Sequence, residues 1–251
     1  MHLECKLFTL SIVLSAVLST ESRPSDSGYS SSSADGSPSV GTSPGDGRTA
    51  RGVRARKSIA EALISLLEQG VVRPTARQVA ERAGVSLRLV FHHFEDMESL
   101  LESAVSVQVE RHWGRLESVR ADGDLHDRVI ATVDQRARLF EAIAPVRRAA
   151  GQASEISPTL ARQLESSRSK LRSQLCGTFA AELSGYARSS NDLAQCVLDA
   201  LEVATSFETW DQLRRLSGRS TAEARRSVVR LAMGALDHIE HASRTTSQDR
   251  S

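Results

Sequence analysis

The sequence predicts an all-α fold in two parts, a small N-terminal unit of three helices and a larger helical region behind it. Three observations carry that expectation. Apolar residues recur at a spacing near 3.6 from Arg54 almost to the C-terminus. Capping pairs and glycine stops punctuate the pattern. No run of alternating apolar and polar residues marks a strand, and no segment repeats.

Ile59, Leu63, Leu66 and Leu67 share one face of a first helix that stops at Gly70. Thr75 and Gln78 form a T-x-x-Q capping box that opens a short second helix, with Val79, Ala80 and Ala83 on its apolar side and Gly84 as its end. Ser86 caps a third, carrying Leu89, Val90 and Phe94 toward the core. Gly84-Val85-Ser86 is then a three-residue turn between two short helices, the spacing of a helix-turn-helix. Asp96 starts a fourth helix with Leu100, Leu101, Ala104 and Val105 inward, running past Trp113.

Beyond a break at Asp122-Gly123-Asp124, Val129, Ile130, Val133, Ala137 and Phe140 predict a helix ending near Ala144-Pro145. Ser157-Pro158, an N-cap followed by an N1 proline, opens another that extends toward Leu183 and closes at Ser184-Gly185. After Asn191-Asp192, the set Leu193, Val197, Ala200, Leu201 and Ala204 leads as one helix toward Trp210 and Leu213 and ends at Gly218. Ser220 with Glu223 is a second capping box. Ala224, Val228, Leu231, Ala235 and Ile239 then give the last helix a heptad-like seam.

Composition bounds the function. With 40% hydrophobic residues in 251, the chain can bury a real core. The net charge of +1 says little, but residues 51–93 hold eight basic and three acidic side chains, a balance of +5 that leaves the remainder at −4. Such asymmetry fits a DNA-facing part joined to one that faces something else. Cys5, Cys176 and Cys196 have no metal-like spacing, and Cys176 and Cys196 are expected as small apolar residues on buried helix faces in a reducing cytoplasm.

Leu7 to Leu18 is an apolar run too short to span a bilayer, and Glu4 cancels the charge of Lys6 that an export signal needs. Residues 23–50 hold nine serines, five glycines and three prolines and read as a disordered linker. Residues 1–50 are therefore taken as a disordered or misassigned leader, 51–96 as the helix-turn-helix domain, 97–242 as an effector-binding and dimerisation domain, and 243–251 as a tail.

In a helix-turn-helix the second short helix enters the major groove, so its first exposed residues touch bases or phosphates. Here those are Leu87, Arg88, His92 and His93, with Ser86 at the cap and Phe91 between. Arg88 can pair bidentately with guanine, and Leu87 can contact a thymine methyl. Thr75 at a helix N-terminus suits a phosphate oxygen, with Arg77 close by. The basic arm of Arg51, Arg54, Arg56 and Lys57 adds sequence-independent attraction. Neighbouring His92 and His93 diverge around the helix and cannot readily share a metal ion, and His238 with His241 reads as a solvated face. No metal or cofactor is expected. Catalytic motifs such as G-x-S-x-G, H-E-x-x-H or a Gly-rich phosphate loop are absent, so no enzyme is expected.

The stretch from Thr75 to Phe94, TARQVAERAGVSLRLVFHHF, followed by Glu98 and Leu100-Leu101, resembles the DNA-binding domain of the TetR family of bacterial transcriptional regulators. The threonine before the second helix, the Ala83-Gly84-Val85-Ser86 turn and the Phe91-His92-His93-Phe94 ending carry the likeness. Phe91 stands where the family usually has tyrosine, Met97 where it usually has lysine, and Leu87-Arg88-Leu89 is unusual at the head of the recognition helix. The resemblance implies an N-terminal three-helix DNA-binding domain, a ligand-binding and dimerisation domain behind it, and a homodimeric cytoplasmic repressor released from a double-stranded operator by a small molecule.

Dimerisation is expected through about 191–240, where the last two helices carry apolar surface that a monomer would leave wet. Trp113, Phe140 and Phe179 are the candidate effector-pocket walls, and few charges interrupt the middle helices, which favours an apolar effector. No membrane partner is expected. The alternatives are an architectural DNA-binding protein without an effector and, more remotely, a helical ligand carrier or enzyme.

Overall fold

Local signals set most helix boundaries in the computed structural model, which describes residues 46–113, 119, 123–155 and 157–248, with side chains from 50 to 237 within them. The expected leader through residue 45 and the last three residues lie outside the described residues, as do the side chains of His238 and His241. Among the described residues there are ten α-helices and no strand: α1 (Asp46–Glu68), α2 (Ala76–Ala83), α3 (Leu87–His93), α4 (Met97–Trp113), α5 (Leu125–Ala153), α6 (Pro158–Thr178), α7 (Ala180–Ser189), α8 (Asn191–Ala204), α9 (Phe207–Asp211) and α10 (Thr221–Gln248), with a π-helical turn at Gln212–Leu216 after α9. The first helix therefore starts inside the Ser/Gly-rich stretch expected to be disordered, and the last runs into the expected tail.

Two cores organise these helices. The first joins Ile59 and Leu63 of α1, Val79 of α2, Val90 of α3 and Leu100 of α4 with Val146 and Ala150 of α5 and Leu160 of α6. The second joins Val129, Val133 and Phe140 of α5 with Leu175, Phe179, Leu201, Trp210, Val228 and Leu236. Helix α5 belongs to both, and the change falls at Pro145.

The sequence places a helix end at Pro145, yet α5 continues to Ala153. An interior proline costs about 3 kcal/mol through its missing N–H and the clash with the preceding turn. Burial of Ala144, Val146 and Ala150 on either side offsets that cost. Ion pairs on the same helix add to the brace: Arg147 to Glu208 at 2.6 Å and Arg148 to Asp211 at 2.7 Å. Glu141 accepts from Arg214 at 2.7 Å and from the Trp210 indole at 2.8 Å.

The helix predicted from Ser157 to Leu183 is instead two, broken at Phe179 rather than at Ser184-Gly185, which lie inside α7. Phe179 leaves helical geometry and is buried, and Arg128 bridges the break. Its guanidinium donates to the Thr178 carbonyl at 2.8 Å and to both carboxylate oxygens of Glu182 at 3.0 and 2.5 Å. The carbonyl freed by the break thus has a charged donor. Similarly, α8 stops at Ala204, and Ser206 caps α9 by accepting from Thr209 N–H at 3.1 Å, where one continuous helix to Trp210 was expected. Gly218, with φ 63°, terminates the segment as predicted.

Cys176 and Cys196 are exposed, contrary to the expectation of burial. Each sits beside a residue that takes the inward position instead: Leu175 on α6, and Val197 with Leu198 on α8. In the last helix Ala224, Val228, Ala232 and Leu236 face inward, so Leu231 of the predicted seam falls on the other side.

Arg128→Ala leaves Glu182 and the Thr178 carbonyl without their donor. Denaturant unfolding is expected to show a loss of about 3 kcal/mol, the usual cost of removing one partner of a largely buried pair.

Candidate nucleic-acid interface and ligand cavity

Backbone geometry fixes how α2 hands over to α3. Thr75 closes its capping box in both directions, its Oγ1 accepting from Gln78 N–H at 3.3 Å and its own N–H donating to Gln78 Oε1 at 2.9 Å. At the other end Gly84 adopts φ 66°, the left-handed region that glycine enters without a Cβ clash. Its N–H donates to Glu81 O at 3.2 Å and the Val85 N–H to Ala80 O at 3.0 Å, a Schellman turn. Ser86 then caps α3, accepting from Leu89 N–H at 3.2 Å.

Because Val90 and Phe94 point into the first core, α3 turns its other face outward. Leu87 is 38% and Phe91 52% exposed, beside exposed Ser86, Arg88 and His92. Thr75, Arg77 and Arg54 are exposed as well, and among the described residues Arg54, Arg77 and Arg88 carry no ion pair. His93 is the exception, half-buried at the base of the helix. Burial, aided by the neighbouring charges of His92 and Arg56, holds its imidazole below the ordinary histidine pKa.

Two residues of the basic arm have structural tasks. The Arg56 guanidinium donates to the His93 carbonyl at 2.5 Å and lies 4.3 Å from the Phe94 ring centroid, pinning the end of α3 to α1. Lys57 pairs with Glu110 of α4 at 3.4 Å. Asp96, whose Oδ1 accepts from Ser99 N–H at 2.7 Å, caps α4 where the sequence marks its start, and that bond holds its carboxyl below the usual range.

Behind this unit lies a cavity of about 630 Å³ between α4, α5, α6 and the α8–α9 segment. Trp113 and Phe140 line it. Phe179 does not: the α6–α7 break turns it into the second core beneath Arg128, 5.7 Å from that guanidinium. Apolar walls come from Val105, Ile143, Leu164 and Phe207, but Arg136, Arg147, Glu165, Arg168, Glu202 and Glu208 also line the space, more charge than the expectation of few charges along these helices allowed.

Arg136 is 2% exposed. Its Nη1 donates to Thr205 O at 2.9 Å and Thr205 Oγ1 at 2.7 Å, and its Nη2 to Leu171 O at 2.7 Å, while its Nε–H has no partner. Burial lowers its pKa to about 10, partly opposed by Glu202, so it stays charged at neutral pH. Gln108, 4% exposed, has neither amide atom satisfied, and Trp113 Nε1 is likewise unpaired. The sequence signal was available: Gln108 continues the Leu100, Ala104 stripe of α4, and Arg136 sits one turn before Phe140.

The geometry is that of a helix-turn-helix with an outward α3 face, seated on a helical body. Residues 59–104 match the family described as bacterial regulatory proteins, tetR family. No curated protein matches the chain. A transcriptional regulator from Rhodococcus sp. Rha1 is similar in structure, with TM-score 0.58 and 21% identity over 73% of this chain and 96% of that one. So is a protein assigned as a TetR-family transcriptional regulator from Mesorhizobium loti, with TM-score 0.53 and 19% identity over 74% and 96%. At such identities the likeness is one of fold. The chain thus carries a tetR-family match over its helix-turn-helix and shares its overall fold with these two proteins.

Replacing Gln108 with leucine removes two unsatisfied buried polar atoms. The ligand-free protein should gain about 1–2 kcal/mol in denaturant unfolding, and a loss of that size would mean the amide is satisfied after all.

Proposed function

We propose that the chain is a sequence-specific transcriptional repressor that binds double-stranded operator DNA as a cytoplasmic homodimer and is released by a small molecule held in the cavity. The observation that carries this reading is the outward face of α3: a Ser86-capped helix that leaves Leu87, Arg88, Phe91 and His92 exposed while Val90 and Phe94 anchor it. Arg88 reads base edges, Leu87 and Phe91 supply apolar contacts, and His92 and His93 lie toward the far end of the helix. Thr75, Arg77, Ser86 and Arg54 hold phosphates. Phe91 lacks the phenolic hydroxyl that would reach a phosphate, so its role is apolar. The DNA contacts are assigned to 51–96 and the effector and dimer surfaces to 97–242.

Of the seven large apolar side chains left exposed among the described residues, two lie on α3 and three within 191–240: Val203, Leu216 and Leu231. Those three support a dimer through the latter region, since exposed apolar side chains are what a symmetric interface covers. Release is supported by α4, which contributes Leu100 and Ala104 to the core beneath α3 and Val105, Gln108 and Trp113 to the cavity wall. A ligand that shifts α4 changes the separation of the two recognition helices, which is a coupling between sites.

Selection of bound sequences from random duplex DNA, with residues 48–251 at two salt concentrations, tests the reading. A near-palindrome with half-sites about one helical turn, roughly 34 Å, apart is expected, and Arg88→Ala should relax the preference at one base pair per half-site by about 1–3 kcal/mol. Salt-sensitive binding with no enriched motif would point to an architectural protein instead.

A further inference from the structure

We infer that the cavity is built for a monoanionic amphipathic ligand, a carboxylate on an apolar body, with Arg136 and Gln108 as its headgroup partners. This deepens the effector reading and rests on it. The unsatisfied atoms of the residues that line the cavity decide the chemistry. Arg136 Nε, Gln108 Nε2 and Trp113 Nε1 are donors and only Gln108 Oε1 is an acceptor, so the complement is chiefly a hydrogen-bond acceptor. Polar groups left unpaired at more than nine-tenths burial are uncommon in folded proteins and mark a place where a partner is missing.

Charge narrows the choice. Each carboxylate facing the cavity is already engaged by arginine: Glu202 by Arg168 and Arg172, Glu208 by Arg147 at 2.6 Å, and Glu165 by Arg168 at 3.8 Å. Arg136 is different, since its hydrogen bonds go to two carbonyls and a hydroxyl. One buried cation without a contacting anion is best matched by one negative charge. A dianionic phosphate would bring a second charge with no free cation to meet it. The apolar remainder of the wall, with Val105, Phe140, Ile143, Leu164 and Phe207, takes the body of the ligand, and a cavity of about 630 Å³ has the size that holds a small molecule.

Decanoate, 1-decanol and decylamine share one chain and differ in headgroup, so they serve as probes. Isothermal titration, with tryptophan fluorescence as a second report, is expected to show decanoate binding at least about tenfold more tightly than either of the others, as a charge-assisted contact requires. Gln108→Leu should cut that preference several-fold, and Arg136→Met should abolish it while decanol affinity stays within about twofold. The Gln108 variant decides the matter if the Arg136 variant fails to fold.

Equal or tighter binding of decanol or decylamine, or an unchanged preference in the folded Gln108 variant, overturns the headgroup assignment. Should decanoate bind with the expected preference yet leave affinity for the selected duplex unchanged, the assignment stands and the effector reading fails. Binding of none of the three overturns both.

Discussion

Helix α5 is common property of two hydrophobic cores, and the rest of the structure depends on that. Before Pro145 its buried residues, among them Val129, Val133 and Phe140, pack with the C-terminal helices. After it, Val146 and Ala150 pack beneath the helix-turn-helix with Ile59, Val79, Val90 and Leu100. The proline weakens the helix at the boundary without ending it, because apolar burial on both sides exceeds the loss of one backbone hydrogen bond. The helix-turn-helix is therefore seated on the body rather than tethered to it. The cavity lies where the two cores meet, touched by Val146 and Ala150 from one and Phe140 and Phe207 from the other.

Arginines do much of the remaining work, in proportion to their burial. Arg128 replaces backbone hydrogen bonds lost at the α6–α7 break, and Arg136 joins α5 to α6 and to the end of α8 through carbonyls. On the surface, the Lys57–Glu110 and Arg111–Glu61 pairs between α1 and α4 are exposed and add little to stability. Arg56 lies between these cases. Its contact with Phe94 and the His93 carbonyl gives α3 a fixed end, so the outward side chains of that helix project from a rigid support.

The helix-turn-helix was legible because its signals are local: Thr75 with Gln78, Gly84 and Ser86 each set a boundary through bonds within a few residues. Leu87 could be read as outward once Val90 and Phe94 were placed inward. The body was legible only in outline. Pro145 and Ser184-Gly185 are breakers by propensity, but tertiary packing overrides the first and Arg128 moves the second break to Phe179. For the same reason Phe179, chosen for its size, belongs to a core rather than the cavity. Cys176 and Cys196 misled because the inward phase of their helices is one residue off. Gln108 and Arg136, polar residues in apolar register, were the signal that the cavity carries chemistry, and only the three-dimensional arrangement shows that their polar atoms go unmet.

Native-state hydrogen exchange on the ligand-free protein tests the shared core most directly. If α5 belongs to both cores, the slowest amides of α1 to α4 and those around Val146 to Ala150 open with one common free energy and respond together to denaturant. Opening of residues 51–96 at distinctly lower free energy, with 146–150 still protected at the global value, would show an independent DNA-binding module and contradict the account.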